Sequence, residues 1–223
     1  MKTLLEFYQS SIGKKILAGL TGLFLCAYLL VHVGGNLLLF KADGGAAFDA
    51  YAETLPNFLI IRVIEIGLFA AFAVHIATGT YLWVINRRAR PRGYLVNKPE
   101  ENSSFASRTM FLTGSIVFVF LVVHMKSFWY PSRFSAEQRV SMYSLVTGAF
   151  ADPLYSSFYI AAMALLAIHL RHGFQSAFQT FGLRNRKYAP LIESVGVIFW
   201  LLIPAAFAAM PAYCFYRSCQ WLH

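Results

Sequence analysis

Five apolar runs, each long enough to cross a bilayer, leave this chain of 223 residues few ways to fold. A helical crossing takes about 20 predominantly apolar residues. Backbone in hydrocarbon must satisfy its own hydrogen bonds, which makes the helix the natural spanning element here. The runs cover roughly residues 15–40, 58–86, 107–130, 153–180 and 190–216. Only 13% of residues are charged, against about 25% in a soluble domain. The expected fold class is therefore an all-α membrane protein, one transmembrane domain over 1–223, with no separate soluble unit. The first run, Ile16 to Phe40, is longer than the roughly 7–15 apolar residues of a signal peptide and lacks a convincing small-x-small cleavage site, so it reads as the first span. Pro204 in the last run predicts a kink there.

The net charge is +9, and its placement matters more than its size. Lys14 and Lys15 precede the first span. Arg87, Arg88, Arg90, Arg92 and Lys98 follow the second, Arg108 opens the third, and Arg184, Arg186 and Lys187 follow the fourth. Up-and-down threading puts all three clusters on one side, which the positive-inside rule makes cytoplasmic. The N-terminus is then cytoplasmic and the C-terminus external. This distribution accounts for the basic excess without nucleic acid. The opposite loops are mixed: Lys41, Asp43, Asp49 and Glu53 in one, Arg133, Glu137, Arg139 and Asp152 in the other. Trp83, Trp129 and Tyr130 fall where an aromatic belt is expected. Cys26, Cys214 and Cys219 make no CxxC or zinc spacing.

Each of the first four spans carries a histidine: His32, His75, His124 and His169. An ionisable side chain inside a membrane helix is costly and usually functional. Helical rise gives their depth. His32, 17 residues past Lys15, and His124, 16 past Arg108, both lie about 25 Å from the basic rim. His75, 12 before Arg87, lies about 18 Å from that rim, and His169 is also deep toward it. Depth therefore pairs His32 with His124 and His75 with His169. In an up-down bundle of the first four helices, these are the two diagonals. Paired imidazoles on facing helices suit the axial positions of a haem iron. Four separately hydrogen-bonded histidines remain the plainer alternative. A carboxylate metal centre needs Glu-x-x-His motifs, and neither Glu65 nor Glu193 stands three before a histidine. Gly34, Gly35, Gly79 and Gly173, about a turn from a histidine, would admit a macrocycle or simply let helices pack closely. The spacing from His32 to His75 is 43 and from His124 to His169 is 45, so a helical hairpin looks to be used twice. His172 follows His169 closely and is an alternative ligand or a polar neighbour of the bound group; His223 is terminal.

The segments KKILAGLTGLFLCAYLLVHVGGNLLLF (14–40), FDAYAETL (48–55), VHIATGTYLW (74–83), ASRTMFLTGSIVFVFLVVH (106–124) and IHLRHGFQSAFQTFG (168–182) carry a resemblance. The chain resembles, over nearly its whole length, the five-helix di-haem cytochrome b anchor of succinate:quinone oxidoreductases (the b558 type, shared with some fumarate reductases). The resemblance implies two haems b, the inner one ligated by His75 and His169 and the outer by His32 and His124. It implies a prokaryotic cytoplasmic membrane and a quinone acceptor, with menaquinone the expected type. It also implies partner subunits on the cytoplasmic face: a flavoprotein with covalent FAD that holds the dicarboxylate site, and an iron–sulfur protein with its clusters. One fumarate reductase branch has an acidic residue two before the fourth-span histidine. Here that position is Ala167, which favours succinate oxidation. A cytochrome b anchor of a hydrogenase or formate dehydrogenase, a quinol:fumarate reductase working in reverse, and a transporter or structural anchor without redox centres stand as alternatives.

Two sets of polar residues follow from that reading. Haem propionates need cationic or polar partners, and Lys14, Arg108, Arg171, His172 and Gln175 are candidates by depth near the inner haem. Asn36, Arg62 and Glu65, near the outer haem, are the quinone candidates. Arg62 and Glu65 are also spaced for an ordinary i,i+3 ion pair.

Overall fold

A computed structural model describes Glu6 and residues 10–89, 104–134 and 141–220. Arg90, Arg92, Lys98, Glu137, Arg139 and His223, named above, lie outside the described residues. Five helices are long and apolar enough to cross a membrane: α1 Ser11–Phe40, α3 Leu59–Arg88, α4 Met110–Phe134, α6 Pro153–Thr180 and α7 Ala189–Gln220. The chain is thus a multi-pass membrane protein. Two shorter helices, α2 Ala46–Thr54 and α5 Met142–Phe150, fill connections that the sequence reading left as mixed loops. Among the described residues there is no β-strand.

Helix starts follow from local chemistry. Ser10 accepts from the Gly13 N–H, so α1 begins a turn before its lysines. Asp152 accepts from the Tyr155 N–H and Pro153 stands in the first turn, a strong start signal for α6. Two spans carry a wider π turn: Met125–Trp129 in α4, immediately after His124, and Ile198–Leu202 in α7. The second ends just before Pro204, whose ring removes one backbone donor. A widened turn there accommodates that missing bond.

α6 is the central helix. It packs against α1, α4 and α7, while α3 packs mainly on α1 and only lightly on α4. Around α1, α3, α4 and α6 each helix therefore touches the next, leaving α1–α4 and α3–α6 as diagonals. Contacts fix which ends meet. At one end Lys14 lies over the Tyr81 ring, Trp83 stacks on Phe111 at 3.9 Å, and Gly19 faces Ala177 and Phe181. Arg87, Arg88, Arg108, Arg184, Arg186 and Lys187 belong to the same end, called here the basic end. At the opposite end Trp129 reaches Glu65 and Phe40 meets Tyr213. Each helix is thus antiparallel to its chain neighbours among the five spans.

The far end is tied across the two hairpins. The Asp49 carboxylate on α2 accepts from Ser141 Oγ at 2.6 Å and from the Tyr143 N–H at 2.8 Å, where α5 starts. Hydrogen bonds to a charged group stabilise by about 1.5–3 kcal/mol each. Gly45, which caps α2 at φ +94°, leaves its side-chain position to the Tyr143 ring. Gly35 does the same for Tyr51. The larger apolar cluster, built on Leu39, Phe48, Phe128, Phe150, Tyr159 and Met210, sits at this end.

Candidate functional site

The two diagonals bring the four histidines together in pairs. His32 of α1 and His124 of α4 have ring centroids 5.8 Å apart, with ring planes at 90°. His75 of α3 and His169 of α6 have centroids 6.4 Å apart, with planes at 76°. The second pair lies toward the basic end. Gly22 faces His75, and His32 is ten residues further along α1, so the two layers are about 15 Å apart along the bundle.

Hydrogen bonding addresses one side of each ring. His75 Nδ1 donates to the Ala18 carbonyl at 3.1 Å, since a carbonyl can only accept. That puts the proton on Nδ1 and leaves the Nε2 lone pair free, the arrangement a metal-bound imidazole takes. Thr21 Oγ1 stands 3.3 Å from the same Nδ1 while giving its own proton to the Leu17 carbonyl. In the outer pair, His32 Nδ1 lies 3.4 Å from Tyr28 Oη, and His124 Nδ1 lies 3.5 Å from Tyr159 Oη, which also bonds Tyr155. His169 Nδ1 is buried and makes no well-formed hydrogen bond among the described residues, with the Met110 carbonyl of α4 the backbone acceptor beside it. No hydrogen bond among the described residues involves Nε2 of any of the four.

A repeat inside the helices positions the inner pair. Leu20-Thr21-Gly22 in α1 and Leu112-Thr113-Gly114 in α4 each stand ten residues before that helix's own histidine. Each glycine receives the histidine of the other helix in its hairpin. A Cβ on Gly22 would meet His75 Cε1 at 3.1 Å, and one on Gly114 would meet His169 Cε1 at 3.0 Å. The sequence reading missed both glycines; the repeated Leu-Thr-Gly was the available signal. Both threonines turn back on their own helix, Thr21 Oγ1 toward the Leu17 and Ala18 carbonyls and Thr113 Oγ1 to the Met110 carbonyl, and Thr21 also stands 3.3 Å from His75 Nδ1. Of the glycines singled out by position, Gly34 and Gly79 have open space where a Cβ would go, and Gly173 meets only Met110.

Two imidazoles held this way suit one six-coordinate metal inside a macrocycle. A metal–imidazole bond of about 2.0–2.1 Å on each side puts the two ring centroids roughly 6 Å apart. Among the described residues no group of three or more His, Cys, Asp or Glu could hold a metal ion. Two ligands on a diagonal need the rest of the coordination from the bound group itself, as a haem provides. The free Nε2 atoms and the side-chain-free floors at Gly22 and Gly114 fit that group.

The other candidates divide. Lys14 is at the basic end over Tyr81, and Arg108 closes the short helix Phe105–Arg108 before α4. His172 is half-buried one turn from His169. Arg171 is not brought to the His75–His169 pair: two residues after His169, it lies about 200° around the helix. Its guanidinium stacks on Trp200 of α7, 5.1 Å from the ring centroid. Gln175 lines a cavity on that same α6–α7 side. At the far end, Asn36 Nδ2 donates to the His32 carbonyl at 2.8 Å. Glu65 accepts from Trp129 Nε1 at 2.6 Å and from Arg62 and Arg133 at 3.2 Å each. The i,i+3 pair is therefore part of a larger network that ties α3 to α4. All three cysteines are free thiols.

No protein-family model matches the chain, and neither a curated protein nor a solved structure shows significant similarity to it.

Proposed function

We propose that this chain is the membrane-anchor cytochrome b of a succinate:quinone oxidoreductase, passing electrons from an iron–sulfur subunit through two haems b to a membrane quinone. The observation that carries the reading is the pair of diagonal histidine contacts, 5.8 Å and 6.4 Å between centroids, in two layers. The identity of the partners and of the quinone rests on the resemblance of the segments quoted above. Haem, when bound, supplies one-electron chemistry at a potential set by its axial ligands and surroundings.

The chain's own residues supply the rest. His75 and His169 offer Nε2 to the inner centre, with the Ala18 carbonyl holding His75 in the required tautomer. His32 and His124 offer Nε2 to the outer centre, among Tyr28, Phe120, Phe207 and Tyr159, whose rings exclude water. Lys14 and Arg108 have the charge and the depth to meet the inner propionates. The basic end faces the cytoplasm by the positive-inside rule and presents its cations to the partner subunits. Dicarboxylate chemistry belongs to the flavoprotein, so this chain contributes to the enzyme as its quinone-reducing subunit.

A pyridine haemochrome assay on the purified chain tests the reading. About two haems b per chain are expected, with a reduced-minus-oxidised spectrum of bis-histidine type. A chain purified without haem from haem-sufficient cells removes the proposal and leaves a transporter or structural anchor.

Glu65 is the residue of the far end best placed to act on quinone. Its carboxylate is only partly exposed and holds two arginines and a tryptophan together. Quinone reduction consumes protons, and a carboxylate beside the outer centre can hand them on. Glu65→Gln is expected to slow quinone reduction by an order of magnitude or more, within the usual reach of a lost proton-transfer group of about 10²–10⁴-fold. Both haem spectra should be unchanged. Turnover at the wild-type rate would assign the network a purely structural role.

A further inference from the structure

Arg171 presents a problem that the histidine pairs do not solve. It sits nine residues inside the basic end of α6, about 13 Å along the helix from Thr180. A guanidinium at that depth is costly and ordinarily has an acidic partner. Among the described residues Arg171 makes no ion pair. Its place on the helix turns it away from His169 and toward α7, where the Trp200 ring supports its flat face. It opens there on a cavity of about 490 Å³ lined by Arg171, Gln175, Arg184, Glu193, Ser194, Val197 and Trp200. Glu193 is occupied by Arg184 at 3.2 Å, so the lining carries one positive charge in excess. The donors are a guanidinium fork, an amide and a hydroxyl, and one wall is the Trp200 indole.

From this geometry we infer that the α6–α7 cavity binds the phosphodiester headgroup of an anionic glycerophospholipid from the leaflet at the basic end. The chemistry favours that occupant on three counts. A guanidinium recognises phosphate through paired N–H donors. Basic pockets between membrane helices on the cytoplasmic side take anionic headgroups. The lipid-facing surface beside the cavity is apolar, with Leu191, Val195 and Ile198 of α7 exposed, so acyl chains can lie against it. The site is separate from the histidine pairs and does not depend on haem. It gives α7, which carries no histidine in its described residues, a role in the assembly.

Lipid titration of the purified full chain tests the inference. The thermal midpoint in detergent is followed as dioleoyl phosphatidylglycerol, dioleoyl phosphatidylcholine or inorganic phosphate is added. Phosphatidylglycerol should raise the midpoint, with phosphatidylcholine weaker and inorganic phosphate without effect at matched phosphate concentration. Arg171→Gln should weaken the phosphatidylglycerol response about fivefold, as one interfacial cation is worth about that factor in anionic-lipid binding. Arg171→Lys should retain part of it. Ser194→Phe fills the cavity without changing charge and should abolish the response, and it serves if Arg171→Gln does not fold. An equal response to inorganic phosphate overturns the lipid assignment in favour of a free anion. An unchanged response in both Arg171→Gln and Ser194→Phe overturns the site. Loss of inner-centre haem from Arg171→Gln, with the lipid response intact, would return Arg171 to the histidine pair and overturn the inference as well.

Discussion

Replacing His75 or His169 with alanine is expected to remove one b centre and leave the other, and replacing His32 or His124 to remove the complementary one. Each ring faces a single partner across its diagonal, at 6.4 Å for the inner pair and 5.8 Å for the outer. The layers are about 15 Å apart along the helices, far enough for substitutions to act independently. Loss of one imidazole would leave the proposed haem iron with a single protein ligand, and among the described residues no group of three or more His, Cys, Asp or Glu stands there to replace it. Haem content should therefore fall by about half in each of the four variants. Difference spectra should show the same missing component for His75 and His169, and the other for His32 and His124. His172→Ala should keep both components, because it is the His169 ring that meets His75. Loss of a centre from His172→Ala but not from His169→Ala would move the fourth ligand one turn along α6. Loss of both centres from every variant would mean the histidines support the bundle and not individual centres.

Axial position was open to sequence reasoning because charged rims mark the ends of a span. Counting from Lys15, Arg87 and Arg108 locates a histidine along its helix to within about a turn. Azimuth was harder. A membrane helix is apolar all round, so no polar face says which way it turns. Arg171 illustrates this: depth places it near His169, while its guanidinium lies over Trp200 of α7, about 200° around the helix. The i,i+2 spacing contained that answer. The helices α2 and α5 were hidden for another reason. They are nine residues each, too short to show a period against mixed polar sequence, and they are held by distant partners. Asp49 anchors the start of α5 from 92 and 94 residues away, a pairing no local pattern announces. Gly22 and Gly114 escaped because glycine in a membrane helix is ordinary. Only the matching Leu-Thr-Gly, ten residues before each outer histidine, sets them apart.

Those two glycines carry the second large effect. Gly22→Val and Gly114→Val should each deplete the inner centre and spare the outer one. Even a single Cβ would stand 3.1 Å from His75 Cε1 at position 22 and 3.0 Å from His169 Cε1 at position 114. An imidazole anchored to its own helix yields by rotating off line or by pushing the helices apart. Overpacking of this kind costs about 1–3 kcal/mol. Spent on ligand geometry, that weakens haem retention at the inner centre by roughly 5- to 150-fold. Gly34→Ala and Gly79→Ala are the controls, since a Cβ at either position meets nothing within 4 Å, and both centres should survive them. The alanine variants at the two seats test the carbonyls behind the rings. Moving His75 strains its 3.1 Å bond to the Ala18 carbonyl, and the Met110 carbonyl stands in the same relation to His169. Loss of an outer-shell partner of a metal-bound histidine typically costs about 10- to 100-fold in affinity or activity. Gly22→Ala and Gly114→Ala should therefore each shift the potential and the electron paramagnetic resonance signature of the inner centre. No shift in either would mean that displacing the rings at these glycines does not reach the centre. Equal shifts in the Gly34 control would mean that the glycines act through helix flexibility and not through contact with the rings.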